Sequence, residues 1–502
     1  MVREWLRNNI DSVLISAIGF AIVLIYTHHS GIGISPDSVA YISTARNLIS
    51  GNGFTDYTGS PLVIFPLFYP LFLSVVMFVT RTDIVTLAPY LNASMFAAVI
   101  IISGAIINRF KYKTAIYKRI ILLIIAVCPS LLEIYTMLWS ETLFILLILV
   151  FIIFLRRYFT SHSIRSLIIA AVTAAIAFDT RFAGITLAAT GIMLMFFDKK
   201  LPWKMKLTHG SIFGSISFSL AVANIIRNMA EKGLATGMRQ KGVTPLEKNI
   251  EFSGNVISDW LTIHTSGHLF FVFIAVAVLL LFTFYFIRNI RHWKAYYTNE
   301  NISVAFFIVY VLFIILSSTI SRYEPINNRL LSPAFLPLLL ISTCQLPKWR
   351  TYMPYRKLQW IFLAFSVGIG IFLIGSYVTI NRVQYSDMED DGIPGFTEDP
   401  WMNSPIVGYL KHHPEFFDTE TDIYSNHNYA VYFLTGASVD AIPERVYKQD
   451  VNDFRESDPI ILIWFYLDPN PDILSIGEIK KLKHARRMKS FTDGAIYYLS
   501  NN

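Results

Sequence analysis

A chain of 502 residues that is 54% hydrophobic and only 15% charged, with a mean hydropathy of +0.49, has too little polar surface to cover a water-soluble globule of its size. Lipid must cover much of it. The net charge of +7 is carried by short basic clusters between apolar runs, a placement that suits anionic headgroups and argues against a nucleic-acid partner.

In chain order, the first apolar run, Ile10 to Tyr26, follows Arg3 and Arg7. No small-residue cleavage site follows it, and His28, His29 and Ser30 come next, so it reads as a retained signal anchor. Eleven runs are candidates to cross a hydrocarbon core of about 30 Å, at roughly 10–28, 86–107, 118–136, 139–155, 165–178, 182–197, 208–226, 267–287, 302–320, 330–345 and 358–380. One further stretch, Leu62 to Thr80, is ambiguous, and Pro61, Pro66 and Pro70 at its start argue against a plain spanning helix.

Charge sets the orientation. Arg3/Arg7, Arg109/Lys111/Lys113/Lys118/Arg119, Arg156/Arg157/Arg165, Lys199/Lys200/Lys204/Lys206, Arg288/Arg291/Lys294 and Lys348/Arg350/Arg356/Lys357 are the basic clusters, and such clusters mark the cytoplasmic side. Placing all of them inside requires an even number of crossings between successive clusters, which holds if 62–80 is re-entrant or lies on the surface. The expected fold is therefore mainly α: a polytopic membrane domain over 1–380 with about eleven transmembrane helices and an outer loop at 29–85. A soluble extracytoplasmic α/β domain over 381–502 follows it. In that last part Ile423–Asn426, Tyr429–Gly436, Pro459–Phe465 and Ala495–Leu499 read as strand, helix, strand and strand. Asn426 and His427 are candidates either to make turns, the commoner use of such residues, or to touch an acceptor. The two cysteines, Cys128 and Cys344, lie in apolar runs and offer no disulfide framework.

On this topology the purposeful polar residues collect at the outer face. Ser35 suits an N-cap with Pro36 at the first helical position, and Gly51 or Gly53 suits the end of a helix of about four turns. Val39, Ile42, Ala45 and Ile49 share one side, so the helix is expected to lie flat on the membrane surface. Asp37 falls in its first turn, where negative charge suits the helix dipole. Glu141 stands at the outer end of a span, where a carboxylate is costly unless it faces a polar cavity. Arg181, Arg227, Arg322 and Arg329 also fall on this side, and the guanidinium fork suits a lipid phosphate, although outer-side arginines also snorkel to headgroups.

The sequence Asp37, Tyr41, Ala45, Leu48 and Gly51-Asn52-Gly53-Phe54, followed by Phe65-Pro66-Leu67-Phe68-Tyr69-Pro70-Leu71, resembles the first outer loop of the C-type-fold membrane glycosyltransferases. The relevant branch includes the dolichyl-phosphate-mannose protein mannosyltransferases and the lipid A aminoarabinose transferases. Phe65 stands where that family has one proline of a Pro-Pro-Leu-Tyr-Pro-like segment. Ser140-Glu141-Thr142-Leu143-Phe144 resembles its Ser-Glu-x-Leu-Phe element. Thr180-Arg181-Phe182-Ala183-Gly184, Arg227-Asn228 with Gly233, Gly237 and Arg239, and Arg322-Tyr323 with Arg329 and Pro333 are similar to its later arginine elements.

The resemblance implies an inverting transfer of a sugar from a polyprenyl-phosphate donor to a glycan, lipid or protein acceptor; the charge topology puts it at the extracytoplasmic face, and a bacterial inner membrane, or else an archaeal plasma membrane, is the expected location. Asp37 would be the base and Glu141 an orienting or charge-stabilising acid. Tyr41, Tyr69, Arg181, Arg227, Asn228, Arg322, Tyr323 and Arg329 would bind substrate. No cofactor is expected, because Walker and dinucleotide motifs are absent and the histidines are too scattered for a zinc site. A transporter or flippase, with the same charges forming a translocation path, and a non-catalytic assembly partner are the alternatives.

Overall fold

The computed structural model describes residues 2–110, 114–237, 239–263, 265 and 267–501. Lys111 and Lys113 of the second basic cluster lie outside the described residues. The chain divides into two compact units, residues 1–26 with 61–386 and residues 27–60 with 387–502.

The helices are, in order, α1 (Val2–Tyr26), α2 (Pro36–Ile49), α3 (Phe68–Thr80), α4 (Ile84–Ile107), α5 (Ala115–Ala126), α6 (Pro129–Thr136), α7 (Glu141–Ser161) and α8 (Ile164–Thr180). They continue as α9 (Ile185–Phe197), α10 (Trp203–Lys232), α11 (Leu246–Trp260), α12 (His268–Arg291), α13 (Trp293–Tyr296), α14 (Asn299–Ile320), α15 (Asn328–Thr351) and α16 (Arg356–Asp391). All but α2 begin in the first unit.

This is a multi-pass membrane protein. Among the described residues eight helices are long and apolar enough to cross a membrane, or nine if the bent pair α5 and α6 is one span. Each of the eleven expected runs falls on helix, but 118–136 is not one straight rod. Pro129 opens α6 and cannot continue α5, so the pair bends by 48°. The runs 165–178 and 182–197 correspond to α8, of 17 residues, and to a 3-10 turn (Phe182–Gly184) leading into α9, of 13. In the 62–80 stretch, residues 62–67 are not helical and α3 has 13 residues. That is about 20 Å of helix, short of a crossing.

Small residues let the first helices approach closely. A Cβ on Gly104 of α4 would collide with Ser12 of α1, and one on Gly19 would collide with Ile100. Lys118 Nζ lies 2.6 Å from Asp11 Oδ1, a largely buried pair joining α5 to α1.

In the second unit, residues 27–60, which the sequence groups with the membrane helices, pack with the C-terminal segment. Ile393 N–H donates to Ser30 Oγ (2.9 Å), Phe396 N–H to the Ile34 carbonyl (2.8 Å), and Thr397 Oγ1 to the Ile32 carbonyl (3.2 Å). Asn428 donates to the Tyr57 hydroxyl, and the Tyr57 ring lies 4.8 Å from Tyr432. After the short helices α17 (Asp399–Met402) and α18 (Pro405–His412) come β1 (Asp422–Ser425), α19 (Asn428–Thr435), β2 (Asp440–Ala441), α20 (Lys448–Glu456) and β3 (Ile460–Phe465). The unit closes with α21 (Ile476–Leu482), β4 (His484–Phe491) and β5 (Gly494–Ser500).

The sheet order is β2-β1-β3-β5-β4, with β1 parallel to β2 and β3, and β5 antiparallel to β3 and β4. β3 is almost wholly buried, as expected of a central strand. Polar β4 forms the exposed edge, and its run of His484, Arg486, Arg487 and Lys489 hides it from a hydrophobicity-based reading.

Helix α2 begins as expected. Ser35 caps it, with Ser38 completing a reciprocal capping box, and Pro36 opens it. Gly51 and Gly53 beyond its end adopt φ of +85° and +72°. Pro36 is exposed and Asp37 half-buried, whereas Ser38 through Ala45 are all buried; eight consecutive residues cover every side of a helix, so protein covers the middle turns of α2.

Candidate active site

In the first unit the candidate site is built on the turn between α6 and α7. Asn92 of α4 donates to the carbonyls of Tyr135 (3.0 Å) and Met137 (2.8 Å), and Tyr135 donates its hydroxyl proton to the Thr142 carbonyl at 3.1 Å. These bonds fix Trp139, Ser140 and Glu141 at the start of α7. Glu141 has no solvent exposure at all. A carboxylate there requires partners.

Two arginines supply them. Arg181 follows α8 in extended conformation; its Nη1 donates to Ser140 Oγ at 3.2 Å and pairs with Glu141 Oε1. The chain then folds back tightly, and a Cβ on Gly184 would collide with the backbone of Ala177. Arg329 sits in the first turn of α15, whose N-cap Asn327 accepts from Leu330 N–H at 3.1 Å. Its Nε donates to the same Glu141 Oε1 at 2.7 Å, and its guanidinium lies 4.2 Å over the Trp139 ring. Glu324 Oε1 approaches Arg329 Nη1 at 3.9 Å, and Glu133 of α6 interacts electrostatically with Glu324, Arg329 and Glu141.

The other proposed ligands in this unit are placed differently. Arg227 Nη1 donates to the Leu62 carbonyl (2.8 Å) and to Asn228 Oδ1 (3.1 Å). Asn228 Nδ2 donates to the carbonyls of Ala235 (3.0 Å) and Val63 (3.5 Å), so this pair clamps the start of the 62–80 stretch to the end of α10. Arg322 Nη1 donates to Gln240 Oε1 at 2.9 Å. Arg239 lies 5.6 Å from the Phe182 ring and 6.0 Å from that of Tyr323. Tyr69 is fully buried in α3.

Asp37 and Tyr41 belong to the second unit. Tyr41 is buried, and Asp37 occupies the first turn of α2, half-buried. Burial, with the charges of Asp37 and Asp56, pushes the Tyr429 phenol up to about 12.

The structure thus gathers Glu141, Arg181 and Arg329 about one oxygen and sets Arg227 with Asn228, and Arg322 with Gln240, in separate contacts. It adds Glu133 and Glu324, which the sequence reading passed over. Glu133 carried a usable signal, an acid inside an apolar run. Among the described residues no three His, Cys, Asp or Glu side chains have the geometry of a metal site.

This bundle, with its α/β C-terminal unit, has the fold of the C-type membrane glycosyltransferases. Among solved structures, ArnT from Cupriavidus metallidurans bound to undecaprenyl phosphate aligns with 97% of this chain and 97% of its own, at 10% identity and a TM-score of 0.56. The Archaeoglobus fulgidus oligosaccharyltransferase tethered to an acceptor peptide aligns over 92% of this chain and 70% of its own, at 12% identity and a TM-score of 0.55. AglB from the same organism, in complex with an inhibitory peptide and a dolichol-phosphate, aligns over 91% and 70% at 11% identity and a TM-score of 0.54. No family model matches the sequence, and no curated protein matches it.

Proposed function

We propose that this protein is an integral-membrane glycosyltransferase that moves a sugar from a polyprenyl-phosphate carrier to an acceptor on the extracytoplasmic face, with inversion at the sugar carbon. The fold supports the class, and the ArnT and AglB structures contain polyprenyl phosphates. The observation that carries the reading is the pair of guanidiniums held on the buried Glu141.

Glu141 acts as a positioning residue. It fixes Arg181 and Arg329 before substrate arrives, so a lipid phosphate meets charge already in place and no reorganisation is needed as the leaving group gains charge. Asp37 is the base. The acceptor hydroxyl oxygen bonds to the sugar carbon as the bond from that carbon to the phosphate oxygen breaks; the hydroxyl proton passes to Asp37, and polyprenyl phosphate leaves with the bonding pair. The site faces the extracytoplasmic side of a bacterial inner membrane, with the N-terminus in the cytoplasm.

The test is transfer by the purified protein in nanodiscs from labelled polyprenyl-phosphate sugars. Release of polyprenyl phosphate, by transfer or by slow hydrolysis, supports the reading. Binding of these lipids without any turnover, across pentose and hexose donors and a panel of glycan and lipid acceptors, overturns it.

A further inference from the structure

The second unit contains a cleft of about 710 Å³, within the range of small-ligand pockets, that the chemistry above does not use. It opens at the carboxyl edge of the parallel strands β1 and β2. Ser425 to Tyr429 follow β1 into it, and Ala441 to Glu444 follow β2. In open α/β sheets this edge is where ligands bind, because strand ends and following helices leave a crevice there. The chain also reverses its direction of winding at β1, passing first to β2 on one side and then to β3 on the other.

The lining has a definite chemistry. Tyr424, Tyr429 and Tyr447 line it, aromatic side chains with polar tips of the kind that pack against the C–H face of a sugar ring. Asp440, Glu444, Asp450 and Asp453 line it too, and no lysine or arginine is among the described residues that do. The neighbouring Arg445 pairs instead with Glu478, Nη2 to Oε2 at 2.7 Å. A concave surface of one sign concentrates the opposite charge. Burial, and after it the charge of Asp422 outside the cleft lining, raise the Asp440 carboxyl above its ordinary value.

Asn426 and His427 have other work. The Asn426 amide donates to the Phe465 carbonyl (2.9 Å) and accepts from its N–H (2.8 Å), and His427 Nε2 bonds the Leu467 carbonyl at 2.9 Å. They hold the floor of the cleft.

We infer that this cleft binds a saccharide carrying a free ammonium group, seated against the tyrosines with its charge among the carboxylates. Pro36, one residue before Asp37, lines the same cleft, so a ligand seated there lies beside the start of α2. The saccharide is then the acceptor, or the part of it that is recognised, in the reaction proposed above. The binding itself does not depend on that reaction.

Calorimetric titration of the full-length protein in detergent with a glucosamine trimer, its N-acetylated counterpart and spermidine tests this. The glucosamine trimer should bind, and the acetylated trimer should bind at least about tenfold more weakly. Asp450→Lys, at an exposed position on α20, should weaken the glucosamine trimer by at least the same factor, and Tyr447→Ala should weaken both sugars, with thermal unfolding confirming that each variant is folded. Equal binding of the two trimers, or spermidine binding as tightly as the glucosamine trimer, overturns the inference. Asp37→Asn should leave binding intact, so loss of transfer and loss of saccharide binding are separately visible.

Discussion

Nε of Arg329 donates to Oε1 of Glu141 at 2.7 Å, across 188 residues of sequence and with the carboxylate shut off from solvent. A buried charge held in this way is expensive to orphan. Breaking such a pair by removing one partner costs about 3–5 kcal/mol, because the other charge is left buried and uncompensated. Glu141→Gln should therefore lower stability by roughly that amount and reduce turnover with it. Thermal and denaturant unfolding in detergent measure the first, and the labelled-donor assay the second. An unchanged unfolding midpoint would show that the three charges do not form the unit described.

The arginines should separate by geometry. Arg329→Lys keeps the charge but loses the fork and the stack on Trp139. It should raise KM for the lipid donor by about tenfold or more with a smaller change for the acceptor. Arg227→Lys, at a residue bonded to the Leu62 carbonyl, should act on stability instead. Initial rates against donor concentration distinguish the two outcomes.

Asp37→Asn should reduce transfer by about 10²- to 10⁴-fold, the usual worth of a general base. Folding should survive, since Ser35 and Ser38 cap α2 without it. Activity within a few-fold of the parent protein would remove Asp37 from the role. Conversely, Ser35→Ala should loosen the start of α2 by about 0.5–2 kcal/mol, visible as faster amide exchange across its first turns.

A chelator should leave turnover unaffected if Arg181 and Arg329 neutralise the leaving phosphate. Activity lost in EDTA and restored by Mg²⁺ or Mn²⁺ would shift that task to a metal.

The second unit should weaken on acidification through His427. Burial holds this ring's pKa below the ordinary value, so the unfolded chain takes up the proton first as pH falls below about 6.5. Stability is present above that pH and is lost as pH falls toward the folded-state value. Glu398 and Asp440, whose pKa values are raised, give the opposite slope: their contribution is lost as pH rises through their folded values. Comparing His427→Gln with the parent isolates the histidine. Trp401, whose ring lies 5.0 Å from His427, is a local reporter.

Much of this molecule was legible in its residues because hydropathy and capping act over short distances. Each of the eleven expected runs falls on helix, though among the described residues only eight or nine spans result, Ser35-Pro36 opens α2 at the position its cap chemistry demands, and Ile460–Phe465, six successive apolar or aromatic residues, forms a strand that is almost wholly buried. Glu141, Arg181 and Arg329 were already candidates, and so were Arg227 and Arg322. Nothing local told them apart, since an arginine clamping a backbone carbonyl and one gripping a carboxylate look alike in sequence. Long-range packing made that choice, through Asn92 fixing the turn before α7 and through the docking of α8 and α15 around it. Packing alone also grouped residues 27–60 with the C-terminal sheet and assembled the acidic cleft from loops that follow separate strands. A carboxylate's partners are set by which elements meet in space, and no period in the chain records that meeting.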